Sequence, residues 1–408
     1  MNSSIGSNLP RIKVQNQFAI KEVIYKFGPI SRLEIAERLG LTLPTITTSV
    51  SNMIKKGLLV EVCDNRDVKT LGRKTMLVDI NRDYAFFIGI EIRSSGRRAV
   101  LTNIKGEVTR AVSDESQLSS YDDAIESASS LFSSLLEKSA LAASDIESVG
   151  LTIPGLVDSE KRKLLIHPGT KWKDRNLASD FMSKTGYSGN VFVENNTIAR
   201  AYATSMFNTG LIGNADSMAY MFVSIGIGCP LLSDIKAHFG RVTGEGEVGH
   251  MVMNPRGPKC ACGNHGCLEA YSSERMMDAE ALEAAENGDS PILAEKLKNN
   301  GKICFDDILS ASDEGDRKAS LIISRAVEYL GLSIANIDNF VRPECVVIEA
   351  RIFENTDNRR KLMDVIQKNL YRGTMSESHI YFLGRDEYSG AKGAAATAIR
   401  HDLEFFIE

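Results

Sequence analysis

Three cysteines within eight positions constrain this chain more than any other feature. They lie in the run GEVGHMVMNPRGPKCACGNHGCLEAY, residues 246–271. Cys260, Cys262 and Cys267 follow a C-x-C-x4-C spacing with Gly263 and Gly266 inside it, so the backbone can turn tightly enough to aim three sulfurs at one point. The chain has seven cysteines, an odd number and mostly scattered, which fits a reducing compartment and a metal site better than a disulfide framework. A fourth ligand is required. His250, ten residues upstream of Cys260, would complete a tetrahedral Cys3His zinc site; His265, inside the loop, is its competitor. A zinc ion with four protein ligands has no open position for water, so the expected site is structural.

With 408 residues, 43% hydrophobic and 25% charged, the chain is long enough for two or three domains of ordinary globular composition. No segment approaches the roughly 18 uninterrupted apolar residues of a membrane span, and the first residues lack an apolar signal core. The expected location is cytoplasmic, with no membrane partner. Charge is unevenly placed: residues 1–80 hold 12 Lys/Arg against 7 Asp/Glu in a chain of net charge −5. A basic N-terminal piece on an acidic body points to a polyanion that meets the first piece alone.

That piece reads as three short helices and two strands. VQNQFAIKEVIYKF has helical apolar spacing and stops at Gly28-Pro29. SRLEIAERLG opens with the capping box Ser31-x-x-Glu34 and closes at Gly40. TLPTITTSVSNMIKKG carries an apolar stripe of Ile46, Val50, Met53 and Ile54. The last two have the spacing of a helix-turn-helix, and LLVEV and KTMLVDI around the loop CDNRDVKTLGR form its wing. The helical wheel turns Pro44, Thr48, Ser51 and Lys55 outward, flanked by Thr45, Thr47 and Asn52. Ser31, Arg32 and Thr42 join them around the turn as candidate DNA contacts. Lys55, Lys56, Arg73 and Lys74 are candidate phosphate contacts, and Arg73 beside Gly72 can enter a narrow A·T-rich minor groove. No arginine on the second helix offers a bidentate grip on guanine.

Gly246-Glu247-Val248-Gly249-His250, followed by Cys260-x-Cys262-Gly263-x-x-Gly266-Cys267-Leu268-Glu269, resembles the signature of the ROK family of repressors, open reading frames and kinases. The resemblance covers nearly the whole chain, since GPISRLEIAERLGLTLPTITTSVSNMIKKGLLVE is similar to the DNA-binding part of the repressor branch. It implies an α+β winged helix-turn-helix at 1–80 followed by an α/β body at 81–408. The body would have the two-lobed actin-like ATPase (ribonuclease H-like) fold of a sugar kinase. Lobe one would span about 81–195 plus a C-terminal helix at about 389–408, and lobe two about 196–388. Strand-like runs such as FFIGIEI, RAVLTNI and SVGLTIPG, and again MAYMFVSIGIGCPLLSD, agree with two such lobes. The resemblance also implies that His250 and the three thiols bind zinc, and that Asn195, Asn196, Glu247, His250 and Glu269 bind sugar hydroxyls.

Against the family's kinases the chain departs at four places. Their catalytic Asn-Asp pair is matched by Asn195-Asn196, and an amide cannot accept a proton at neutral pH. Their Asp-x-Gly-Gly-Thr phosphate loop is matched by Glu91-Ile92-Arg93-Ser94-Ser95, and their second glycine loop by Ser224-Ile225-Gly226-Ile227-Gly228-Cys229-Pro230. A Gly-Gly pair near the adenine is matched by Glu349-Ala350-Arg351. Near the sugar, Gly169 in HPGTKW stands where family members often carry asparagine. The expectation is a homodimeric, or tetrameric, repressor without kinase activity that binds operator DNA and a sugar or sugar derivative. A sugar kinase with an added DNA-binding module and an adaptor for a sugar-transport protein are the competing readings.

Overall fold

The computed structural model describes residues 9–63, 76–93, 96–212, 215–233, 244–371 and 379–405. Contacts divide the chain into one unit of residues 1–209 and 387–408 and a second of residues 210–386. The first division thus falls after Thr209, where the sequence reading places it after Asn195, because the helix Asn196–Phe207 packs on the C-terminal helix Ser389–Phe405.

In the first unit, α1 (Leu9–Phe27), α2 (Arg32–Leu39) and α3 (Leu43–Lys55) precede a small sheet. Ser31 caps α2 by accepting from the Glu34 amide at 3.2 Å while the Glu34 carboxylate accepts from the Ser31 amide at 2.9 Å, the reciprocal box read from the sequence. Gly40 ends α2 at φ +62°, a conformation that spares glycine the Cβ clash other residues meet. Ile46, Val50 and Met53 are buried along α3. The strands β1 (Ile30–Ser31), β2 (Leu59–Cys63) and β3 (Met76–Ile80) run in the order β1-β3-β2, all antiparallel. The loop between β2 and β3, with Arg73 and Lys74, lies outside the described residues.

The same unit holds a five-stranded sheet in the order Asn190–Asn195, Ile146–Ile153, Phe86–Arg93, Gly96–Asn103, Val108–Asp114. The first three strands are parallel and the last two antiparallel to their neighbours. Alternation along Phe86–Arg93 sorts its faces. Ile88, Ile90 and Ile92 join the core beneath the helices Tyr121–Ser139 and Leu177–Thr185, whereas Phe87, Gly89 and Glu91 face the C-terminal helix. A side chain at Gly89 or Gly150 would collide with the backbone of that helix, at 2.1 Å from the Ala391 carbonyl and 1.8 Å from that of Ala394. Glycine in the sheet and alanine in the helix thus allow very close packing.

The winged helix shares a core with this sheet. Ile20 and Ile24 of α1 and Ile46 and Val50 of α3 cluster with Phe87, Ile104, Phe192, Ala398 and Ile399, with Met206 and Phe207 packed alongside. Tyr25 donates its hydroxyl to the Ile104 carbonyl at 2.8 Å, and Lys105 pairs with Asp79 at 2.6 Å.

In the second unit, Ser217–Val223 and Cys345–Ala350 are parallel neighbours. Ile380–Leu383 extends that sheet on one side, and Ile227–Gly228 and Leu231–Ser233 pair antiparallel with Ser217–Val223. Its core is closed by the helices Glu274–Glu286, Phe305–Asp313, Arg317–Val341 and Thr356–Asn369. Among the described residues only Arg317–Val341 is long and apolar enough to cross a membrane, and its stripe Ile322, Ile323, Val327, Leu330 and Ile334 is buried in this core.

Candidate functional site

The thiol loop is assembled by short backbone links. Leu268 donates to the Met251 carbonyl at 2.9 Å, Met253 to that of Gly266 at 2.8 Å, and Cys260 to that of Asn264 at 2.8 Å. Gly266 has φ +68°, and a Cβ there would lie 1.5 Å from the Asn254 carbonyl oxygen, so this crossing admits only glycine. The result brings His250, Cys260, Cys262 and Cys267 together, with every ligand atom within 4.8 Å of the others. Cys262 Sγ and Cys267 Sγ are 3.7 Å apart, as are Cys260 Sγ and His250 Nδ1. His265 is exposed and turns Nδ1 to the Gly257 carbonyl at 3.3 Å, so the competitor stands aside. Burial pushes Cys267 up to about 12 and raises Cys260, while the Asn264 amide lowers Cys262. These four groups could hold one metal ion, whose positive charge would offset the cost of ionising the buried thiols.

Carboxylates gather beside this loop. Gly246, at φ +79°, approaches the backbone of Cys229 and Pro230 so closely that a Cβ would sit 2.6 Å from the Pro230 nitrogen; Cys229 donates to its carbonyl at 2.7 Å. That link fixes the turn Val248–His250 and its preceding Glu247. Glu247 is exposed as a residue, yet partial burial of its carboxyl raises its pKa, His250 opposing and Glu269 adding to the rise. Glu269 is buried and accepts from Arg275 at 2.8 Å, a partner the sequence reading missed. Gly226 leaves room for it: a Cβ there would be 3.2 Å from Glu269 Oε2. The structure therefore brings Glu247, His250 and Glu269 together within the second unit.

Asn195 and Asn196 lie in the first unit. Asn195 caps the helix Asn196–Phe207, its Oδ1 accepting from Thr197 at 2.8 Å and Ile198 at 3.3 Å, and its Nδ2 donates to the Gly155 carbonyl at 2.8 Å. Its oxygen and one amide hydrogen are thus engaged. Asn196 is buried. One turn into the same helix, Arg200 Nη2 donates to Glu91 Oε1 at 2.6 Å while its Nη1 donates to Ser389 Oγ; Arg93 Nε is 3.7 Å from the other Glu91 oxygen. Glu91 is fully buried. In the second unit, Glu349 accepts from the Tyr220 hydroxyl, and Arg351 pairs with Asp306 and, at 3.7 Å, with Glu274.

On the winged helix, Thr42, Leu43, Pro44, Thr47, Thr48, Asn52, Lys55 and Lys56 are exposed, and Thr45 and Ser51 half-buried. Arg32 pairs with Glu61 of β2 at 2.7 Å, and the Ser31 hydroxyl accepts from the Glu34 amide as the cap of α2.

A winged helix-turn-helix packed on a kinase-like α/β body with a thiol–imidazole cluster defines a class of protein: a DNA-binding module on an actin-like sugar-kinase fold. The chain belongs to the ROK family, whose profile matches residues 87–401; a profile described as winged helix-turn-helix DNA-binding matches residues 15–60. The xylose repressor of Bacillus subtilis is 26% identical over 347 residues, covering 84% of this chain and 83% of the repressor. The DNA-binding transcriptional dual regulator NagC of Escherichia coli is 24% identical over 355 residues, covering 85% and 83%. Among solved structures, a ROK family transcriptional regulator homologous to the E. coli MLC protein aligns with TM-score 0.77 at 24% identity over 96% of this chain and 97% of that one. A ROK family glucokinase from Streptomyces griseus aligns with TM-score 0.64 at 21% identity over 77% of this chain and 99% of its own.

Proposed function

We propose that the chain is a sugar-responsive transcriptional regulator, acting as a repressor, whose body binds a sugar and transfers no phosphate. The observation that carries the second half is the Arg200–Glu91 pair. The Arg200 guanidinium, itself bonded to Ser389 of the terminal helix, engages the carboxylate at the first phosphate-loop position, and the amide of Asn196 stands where a base would be needed. Glu349 and Arg351 are likewise engaged with protein partners at the position matched to the Gly-Gly pair.

For the sugar, Glu247, His250 and Glu269 of the second unit supply acceptors and a donor to hydroxyls, each of which both donates and accepts. On the first unit, Asn196 and the remaining amide hydrogen of Asn195 are the proposed amide donors. The metal is proposed to be zinc. A tetrahedral ion with Zn–S near 2.3 Å separates its sulfurs by about 3.8 Å, and the 3.7 Å between Cys262 and Cys267 matches that edge. Bound there, it would stiffen the loop carrying Glu247 and Glu269 and supply no reactive position. Two copies of the chain would present two α3 helices to half-sites about one helical turn apart. A sugar-transport protein is a further proposed partner.

A thermal-shift screen of the metal-loaded protein against hexoses, pentoses and their phosphates tests the sugar reading, since a ligand that binds only the folded state raises the midpoint. A shift abolished by Glu247→Gln and Glu269→Gln is expected. A coupled ADP-release assay over the same panel should stay at background; turnover would overturn the non-kinase reading.

A further inference from the structure

The face that α3 presents is unusual for a DNA reader, because no charged side chain occurs on it from Thr42 to Asn52. Its N-terminal end, the part of a recognition helix that meets base edges, exposes Leu43 at 45% beside Pro44, Thr47 and Thr48. Neighbouring polar groups are already occupied. Thr42 and Thr45 bond each other's hydroxyls at 2.9 Å, Ser31 caps α2, and Arg32 is held by Glu61. A bidentate reading of guanine is therefore missing from this end. In the major groove only thymine offers an apolar group, its C5-methyl.

We propose, resting on the DNA-binding reading above, that Leu43, with the methyl group of Thr47, packs on thymine methyls, so that A·T pairs set the specificity of each half-site. Lys55 and Lys56, exposed at the far end of the helix, supply attraction to the backbone without sequence preference.

The test uses the full-length protein. Duplexes are enriched from a random pool, and their affinities are compared by fluorescence anisotropy with the same duplexes carrying deoxyuridine for thymine. Each contacted methyl should be worth about fourfold in affinity, or about 0.8 kcal/mol. Leu43→Ala should bind thymine and uracil duplexes alike at the contacted position, and Thr47→Ser, which keeps the hydroxyl, should lose a smaller part of the difference. Equal binding of both duplexes by the unaltered protein overturns the inference and leaves DNA binding standing. Discrimination retained in full by both variants does the same. Failure to enrich any sequence overturns the DNA-binding reading along with it.

Discussion

Arg200 and Glu91, 109 positions apart, meet at 2.6 Å with both side chains buried. The pair joins three elements of the first unit: the strand Phe86–Arg93, the helix that Asn195 caps, and the start of the C-terminal helix through Ser389. Removing one partner of such a pair strands the other charge away from water.

Arg200→Ala is therefore expected to lower unfolding free energy by about 3–5 kcal/mol, measured by urea titration. The double variant Glu91→Gln with Arg200→Met should lose clearly less, because both fully buried charges are removed and Arg93, the other partner of Glu91, is partly exposed to water. Equal losses in the single and double variants would show that the pair is not electrostatically coupled.

Cys262 is the one exposed thiol of the cluster, so its replacement disturbs little packing. Cys262→Ser should lower both bound metal, by elemental analysis, and the thermal midpoint, since metal binding contributes directly to folding free energy. Full metal occupancy in that variant would remove Cys262 from the ligand set.

Asp402, near the end of the C-terminal helix, has its pKa raised by burial to about 7, with Ser148 as hydrogen-bond donor opposing the rise. A carboxyl raised in the folded state contributes stability that is complete below its unfolded value and is lost as pH climbs through the folded one. The thermal midpoint of the unaltered protein minus that of Asp402→Asn should thus fall as pH rises from about 4 to about 7. A difference that is flat or grows over this window contradicts the assignment.

Tyr25 ties α1 to the body through the Ile104 carbonyl. Tyr25→Phe leaves that buried acceptor without its hydroxyl donor and should cost about 1 kcal/mol. Faster amide exchange in α1 than in the sheet core is expected; unchanged exchange would mean that the shared apolar core alone holds the winged helix.

What was legible in the sequence was local. Ser31 and Glu34 sit three apart, and Ile46, Val50 and Met53 repeat at helical spacing, so α2 and α3 could be read directly, as could the thiol loop with its glycines. The two-residue strand Ile30–Ser31 has no periodicity of its own and exists only because β3 pairs with it. Arg32 also pairs with Glu61 on a different element, a contact that no local stretch of sequence shows. Asn195 looks like a sugar ligand, yet its carbonyl caps a helix. Glu91 and Arg200 meet only after the sheet is built, which no window of sequence contains.

The most direct measurement compares binding of the metal-loaded, full-length protein to DNA upstream of its own gene and to a scrambled duplex of equal length, by fluorescence anisotropy at physiological salt. A sequence-reading regulator should prefer the upstream DNA by about 10³-fold or more, with the preference altered by the sugar that raises its thermal midpoint. Equal affinity for the two duplexes at every salt concentration would contradict the account.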